Sequence, residues 1–307
     1  MSTSKIEIVE YTDPLCSIAW GTEPYKRLLK WRFNDLVTWR PVMAGLCRDN
    51  STVKMFQPWD PFDAGQMYLK VWKRVTGITG MPYPEDLQYM AVTTDPPCLV
   101  VKAAERQGLE VAESVLRRLR EAVFFYGTPV DNLDQVERAL ADLPNLDIGQ
   151  LLSDCQLDEV RAAYLADWEE TRAPNDYVRE LANTDADHLA GPMMKSEGHE
   201  RYNLPTFIFK GPNGEKTVPG YRPYEEYEAA LESVSPGILE KARDKPSLFE
   251  ARAYWPTLTS KEIELICGIP STSADVIEFG GIEFGGATIY LNEAEKEYWN
   301  KRKASSA

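Results

Sequence analysis

The chain has 307 residues, 43% of them hydrophobic, enough for one large domain or two with a buried core. Its 48 acidic against 34 basic residues leave a net charge of −14, which argues against nucleic acid or anionic membranes as partners, because neutralising phosphates requires clustered Lys and Arg. No run approaches the roughly 18–20 apolar residues that span a bilayer.

In chain order, Lys5 to Tyr11 alternates apolar and polar β-formers and reads as a half-buried strand. It starts directly after Met1-Ser2-Thr3-Ser4, without an apolar signal region, so a cytoplasmic protein with reduced cysteines is expected. Asp13-Pro14 breaks the strand, and Trp20 to Arg32 carries Tyr25, Leu28, Leu29 and Trp31 as an amphipathic helix would. Cys16 therefore sits where a strand hands over to a helix, a position whose free N–H groups favour the thiolate and predict a lowered pKa. In a dithiol motif a second cysteine would follow three residues later; Ala19 stands there.

Residues 38–46 read as a second strand running into a loop. From about 59 to 195 the period is helical, with segments at 65–75, 97–107, 112–125, 133–142 and 157–171. A β-rich run follows at Thr206 to Phe209, then a strand end and helix at 218–227, in which Glu225, Glu226 and Glu228 read as a solvated face. Beyond residue 236, a short helix capped by Thr259 or Ser260 and ended by Gly268, a second around 273–279 and a Gly-rich hairpin at 280–291 give a helix–turn–helix-like unit with a wing. Its Lys and Arg are sparse while Glu262, Glu264, Asp275, Glu278 and Glu283 are acidic, which favours protein contact or homodimerisation over DNA binding.

Asp13-Pro14-Leu15-Cys16-Ser17-Ile18-Ala19-Trp20-Gly21-Thr22-Glu23-Pro24 resembles the active-site segment of the DsbA family of thiol–disulfide oxidoreductases, particularly its cytoplasmic FrnE-like branch. Asn203-Leu204-Pro205-Thr206 resembles the loop carrying that family's cis-proline, and Val218 to Tyr227 the strand end and helix that follow. The resemblance implies an α/β thioredoxin fold from residues 1–60 and 200–235, interrupted by a helical insertion domain at 61–199. Residues 236–307 then form a C-terminal appendage of winged-helix-like type. The departure is Ala19: the family usually carries Cys-x-x-Cys.

The resemblance makes Cys16 the catalytic thiol and places Leu204, Pro205 and Thr206 beside it, with Ser17 at the substrate side. For Trp20, Tyr11, Met43 and Trp59 two readings stand open, the lining of an apolar groove near Cys16 or ordinary core. Cys98 follows Asp95-Pro96-Pro97 at another helix start; it reads as a packed cysteine or as a displaced resolving thiol. Cys47, Cys155 and Cys267 read as small buried hydrophobes, and His199 as a surface histidine. With odd, widely spaced cysteines and two histidines, His188 and His199, neither a disulfide framework nor a zinc site is expected.

Three functions follow. Single-cysteine thiol–disulfide exchange or isomerisation would pass through a mixed disulfide on Cys16, with glutathione or another small thiol as co-substrate and no tightly bound cofactor. Reversible addition of the thiolate to a conjugated small molecule would make a cis–trans isomerase, and needs an apolar pocket. A retired site would leave a thioredoxin-fold adaptor, favoured by an exposed apolar patch around a buried Cys16.

Overall fold

The computed structural model describes residues 6–184, 191–196 and 198–306; Met1 to Lys5 and His188 lie outside them. The chain begins β1 (Ile6–Thr12), α1 (Ser17–Phe33), β2 (Val37–Met43). It continues through α2 (Pro61–Thr79), α3 (Asp95–Ala104), α4 (Leu109–Phe124), α5 (Leu133–Leu140), α6 (Ile148–Asp154), α7 (Asp158–Thr171) and α8 (Asp176–Thr184). It then returns as β3 (Met193–Ser196), β4 (His199–Tyr202), β5 (Thr206–Gly211), β6 (Gly214–Pro219) and α9 (Tyr224–Val234). This is the expected thioredoxin fold with a helical insertion. The β3–β4 hairpin straddles the 199/200 border read from the sequence, with Met193 opposite Tyr202.

Successive side chains of a strand face opposite sides. In β1, Ile6 and Ile8 pack with Tyr25, Leu29 and Phe33 of α1 and Tyr227 of α9. Val9 and Tyr11 pack on the other face with Val42, Val178, Tyr202 and Ile208. A strand buried on both faces belongs in the middle of a sheet, and the order is β2-β1-β5-β6. β1 runs parallel to β2, through the crossover helix α1, and antiparallel to β5. Gly21 in α1 has a packing reason: a Cβ there would fall 2.5 Å from Thr79 Cγ2 at the end of α2.

The helices of the insertion begin where local chemistry lets them. Asp60 accepts from the N–H groups of Phe62 and Asp63, and Pro61 occupies the first turn of α2. Gly80, at φ 74°, ends it. Two helices escaped the periodicity reading. α6 and α8 are short, and their start signals are single caps, Asp147 and Asn175.

The C-terminal region holds α10 (Leu248–Tyr254), β7 (Thr257–Thr259), α11 (Ser260–Glu262) with a π-helical turn at Ile263–Cys267, α12 (Ala274–Ile277), β8 (Ile282–Phe284), β9 (Ala287–Leu291) and α13 (Glu293–Ser306). The three strands form a sheet in the order β7-β9-β8, with α11 and α12 lying in the chain between β7 and the β8–β9 hairpin. Thr259 and Glu262 form a capping box, and Gly268, at φ 70°, ends the turn.

This unit is welded to the rest. Phe284, Ile289, Leu291 and Trp299 share one core with Trp20, Val123 and Phe124. The acidic-surface reading fails at Glu262, which is fully buried and takes Arg117 and Arg27, each at 2.9 Å. Arg117 Nε also donates to Glu121 at 2.7 Å, Arg118 pairs with Glu295, and Arg120 pairs with Glu23. A charged seam thus joins α1, α4 and the C-terminal unit.

Candidate active site: a buried thiol at a helix start

Cys16 is the N-cap of α1. Its Sγ accepts from Ala19 N at 3.5 Å and its thiol donates to Leu204 O at 3.7 Å. The Leu204–Pro205 peptide is cis. Pro205 O accepts from Gly220 N at 2.8 Å, and Thr206 Oγ1 donates to Asn203 O at 2.6 Å, which fixes the loop. Thr206 lies opposite Tyr11 in the sheet. The fold therefore brings Cys16, Leu204, Pro205 and Thr206 together from opposite ends of the insertion.

Other candidates go elsewhere. Trp20 turns into the core: Nε1 donates to Pro82 O at 2.8 Å, its ring stacks on Phe124, and the Arg117 guanidinium lies 4.6 Å from its centroid. Met43 is buried in that same core, its N–H held by Asp167 at 2.9 Å. Tyr11 is buried near Cys16, but its hydroxyl donates to Glu170 at 2.8 Å and its ring packs on Tyr202. Trp59 packs with Phe56. Trp20 and Met43 are thus core side chains, whereas Tyr11 shares the apolar cluster of Cys16 and Trp59 is half-buried. Ser17 and Trp20 edge a crevice toward α2 that leaves no room for a water molecule. His199 is exposed against the edge of Trp168.

The expectation of a lowered Cys16 pKa is overturned. The residue is only 6% exposed, and burial pushes the thiol above its ordinary value. The N–H groups of Ala19 and Ile18 and the charge of Arg201 pull it down, while Asp13 pushes it up. Burial wins because a thiolate loses more solvation than a helix start returns.

Asp13 was legible only as a strand breaker, yet it organises the site. Oδ1 accepts from Leu15 N at 2.9 Å; Oδ2 accepts from Leu46 N at 2.7 Å and from Cys98 Sγ at 3.3 Å. Burial pushes its carboxyl up. Cys98, with 0% exposure in the first turn of α3, is bound to Asp13, and burial with that carboxylate raises its thiol well above the ordinary value. All five cysteines are free thiols.

Arg201 was missed altogether. It is buried, donates to Tyr202 O at 2.9 Å and Met194 Sδ at 3.2 Å, and leaves Nε without a partner. Nothing in the charged sequence His199-Glu200-Arg201 signals burial. Glu10 did carry a signal: it shares the inward parity of Ile6 and Ile8 in β1, and it pairs with buried Lys26 at 2.8 Å. Among the described residues, no cluster of three or more His, Cys, Asp or Glu is placed to hold a metal ion.

The family model described as thioredoxin matches residues 10–174. The chain belongs to the thioredoxin family. The ClpXP adapter protein SpxH of Shouchella clausii is 25% identical over 276 residues, covering 88% of this chain and 80% of that protein. Its namesake from Halalkalibacterium halodurans is 25% identical over 240 residues, 75% of this chain and 67% of the relative. A solved structure of a candidate protein disulfide isomerase from Nitrosomonas europaea is similar at TM-score 0.55 and 17% identity, over 78% of this chain and 99% of that one. That likeness is one of fold. No helix among the described residues is long and apolar enough to cross a membrane.

Proposed function

We propose that this chain is a protein-binding member of the thioredoxin family, an adaptor that brings client proteins to a ClpXP-type protease in the cytoplasm. The observation that carries this reading is the setting of Cys16: buried, its thiol bonded to Leu204 O, and without a second cysteine at position 19. A thiol–disulfide oxidoreductase needs an accessible thiolate. The similarity to SpxH adds support. An alignment over 88% of the chain has to enter residues 236–307, which make up roughly a quarter of it, so the shared region includes part of the C-terminal unit.

A second reading, single-cysteine exchange with glutathione as co-substrate, is favoured by one contact: Cys16 faces Leu204 O beside Pro205, where an extended substrate would lie. The double-bond isomerase draws no support, since the crevice at Ser17 and Trp20 is closed.

The test is quantitative proteomics of a cell extract supplied with ClpXP and ATP, with and without the chain. Particular proteins should disappear faster with it, equally so with the Cys16→Ser variant. Unchanged half-lives, together with steady turnover of glutathione mixed disulfides that Cys16→Ser abolishes, would replace the adaptor by the exchange enzyme.

A further inference from the structure

A cavity lies far from Cys16 in sequence, in the C-terminal unit. It has a volume of about 260 Å³, between α10 and β9, and its walls include Phe249, Arg252, Trp255, Leu258, Phe279 and Leu291. Five of these six side chains are apolar. Phe249 is 80% exposed at the rim, and Tyr254 and Ile277 are exposed on the same unit. Arg252 is the one charged residue of the lining. Its guanidinium lies 3.8 Å from the centre of the Phe279 ring, and among the described residues it has no ion-pair partner. Glu293, whose charge reaches it, is fully exposed and already pairs with Lys296 at 2.8 Å.

An apolar hollow with one pinned, unpaired cation suits a ligand with a bulky apolar group and one carboxylate close together. We propose that this groove captures the carboxyl terminus of a client polypeptide, its last apolar side chain filling the hollow and its terminal carboxylate pairing with Arg252. The inference rests on the adaptor reading and names the part of the client that is held. Size favours a chain end over an internal stretch, because the hollow falls below the roughly 300 Å³ of ordinary ligand pockets and holds about one large side chain. Charge does the same. Glu264, Asp275, Glu278 and Glu283 are exposed on this unit and the chain carries −14 overall, so an acidic segment is repelled while a single terminal carboxylate with basic neighbours is welcome. Arg supplies a planar fork that matches a carboxylate.

The experiment is fluorescence anisotropy of the full chain with a fluorescein-labelled hexapeptide containing two lysines and ending in Phe-Leu with a free carboxylate. The same peptide ending in a carboxamide is the first control. Saturable binding is expected, weakened about tenfold or more by amidation, as for loss of one charge-assisted contact. Arg252→Gln should bind the acid and the amide alike, and Arg252→Lys should recover part of the preference. Equal binding of acid and amide to the parent, an unchanged preference in Arg252→Gln, or no saturable binding would overturn the proposal. If the peptide fails to bind while the chain still accelerates ClpXP degradation, the groove is wrong and the adaptor reading stands. If the peptide binds as described and no protein is degraded faster, the groove stands without that reading.

Discussion

Two buried polar regions of this molecule are built on opposite terms. In the seam between α1, α4 and the C-terminal unit, acid and base sit side by side: Glu262 with Arg117 and Arg27, Glu121 with Arg117, Glu23 with Arg120. Burial works to raise Glu23 and Glu121, yet the guanidiniums of Arg120 and Arg117 beside them hold both below the usual carboxylate range. At the thiol site, Asp13 is bonded to backbone N–H groups and a thiol rather than to a cation, and Arg201 to a carbonyl and a thioether. There burial prevails, raising Asp13 and Cys16. The lesson is that a helix start lowers a cysteine pKa only where solvent or a close cation helps it, and the seam has claimed the cations of α4.

The largest effect should come from breaking the seam. Glu262→Ala leaves Arg117 and Arg27 facing each other without their shared carboxylate and should cost about 3–5 kcal/mol in thermal or urea unfolding, against near-neutral Cys16→Ser. Equal costs for the two variants would erase the distinction between the regions.

Acid should expose the same contrast. A carboxylate whose folded pKa lies below its unfolded value contributes stability that is complete above the unfolded value, 4.5 for Glu, and lost as pH falls. Melting temperature should therefore decline below about pH 4.5, more gently in Glu121→Gln. Asp13 and Glu295, pushed up by burial, act in the opposite sense and soften the decline. A melting temperature that stays flat down to pH 3 would contradict this assignment of charges.

Much of the fold was legible because burial leaves periodic marks. α1 and α4 repeat apolar residues at helical spacing, and Thr259 with Glu262 spells a capping box, whereas β1 reads as half-buried and is buried on both faces. At the site, the meeting of Cys16 with Leu204 and Pro205 came from family resemblance rather than from pattern. The electrostatics stayed hidden. Whether Glu262 faces water or two arginines depends on partners 145 and 235 residues away, and no local pattern distinguishes Arg201 in its hairpin from a solvated arginine.

Smaller changes sharpen the thiol side. Ala19 shares an apolar cluster with Cys16, so Ala19→Cys restores the two-cysteine motif in a tight space. With glutathione disulfide it should yield an intramolecular disulfide to Cys16, seen by mass spectrometry, for a stability cost of about 1–3 kcal/mol before oxidation. If only glutathionylated products appear, the scaffold no longer supports dithiol geometry. Asp13→Asn removes a charge that raises the Cys16 thiol, and should move its alkylation profile to lower pH. A shift upward would assign Asp13 a different role.

The most direct measurement is the rate at which iodoacetamide modifies Cys16 in the folded chain, followed from pH 6 to 10 with the modified residue identified by mass spectrometry, beside the same chain in urea. A buried, protonated Cys16 should react at least about tenfold more slowly at pH 7 than in the unfolded chain, and its profile should rise only above the usual thiol pKa of about 8.5. Faster modification folded than unfolded at neutral pH, with Cys16 as the target, would mean that the site is a working nucleophile and contradict the account.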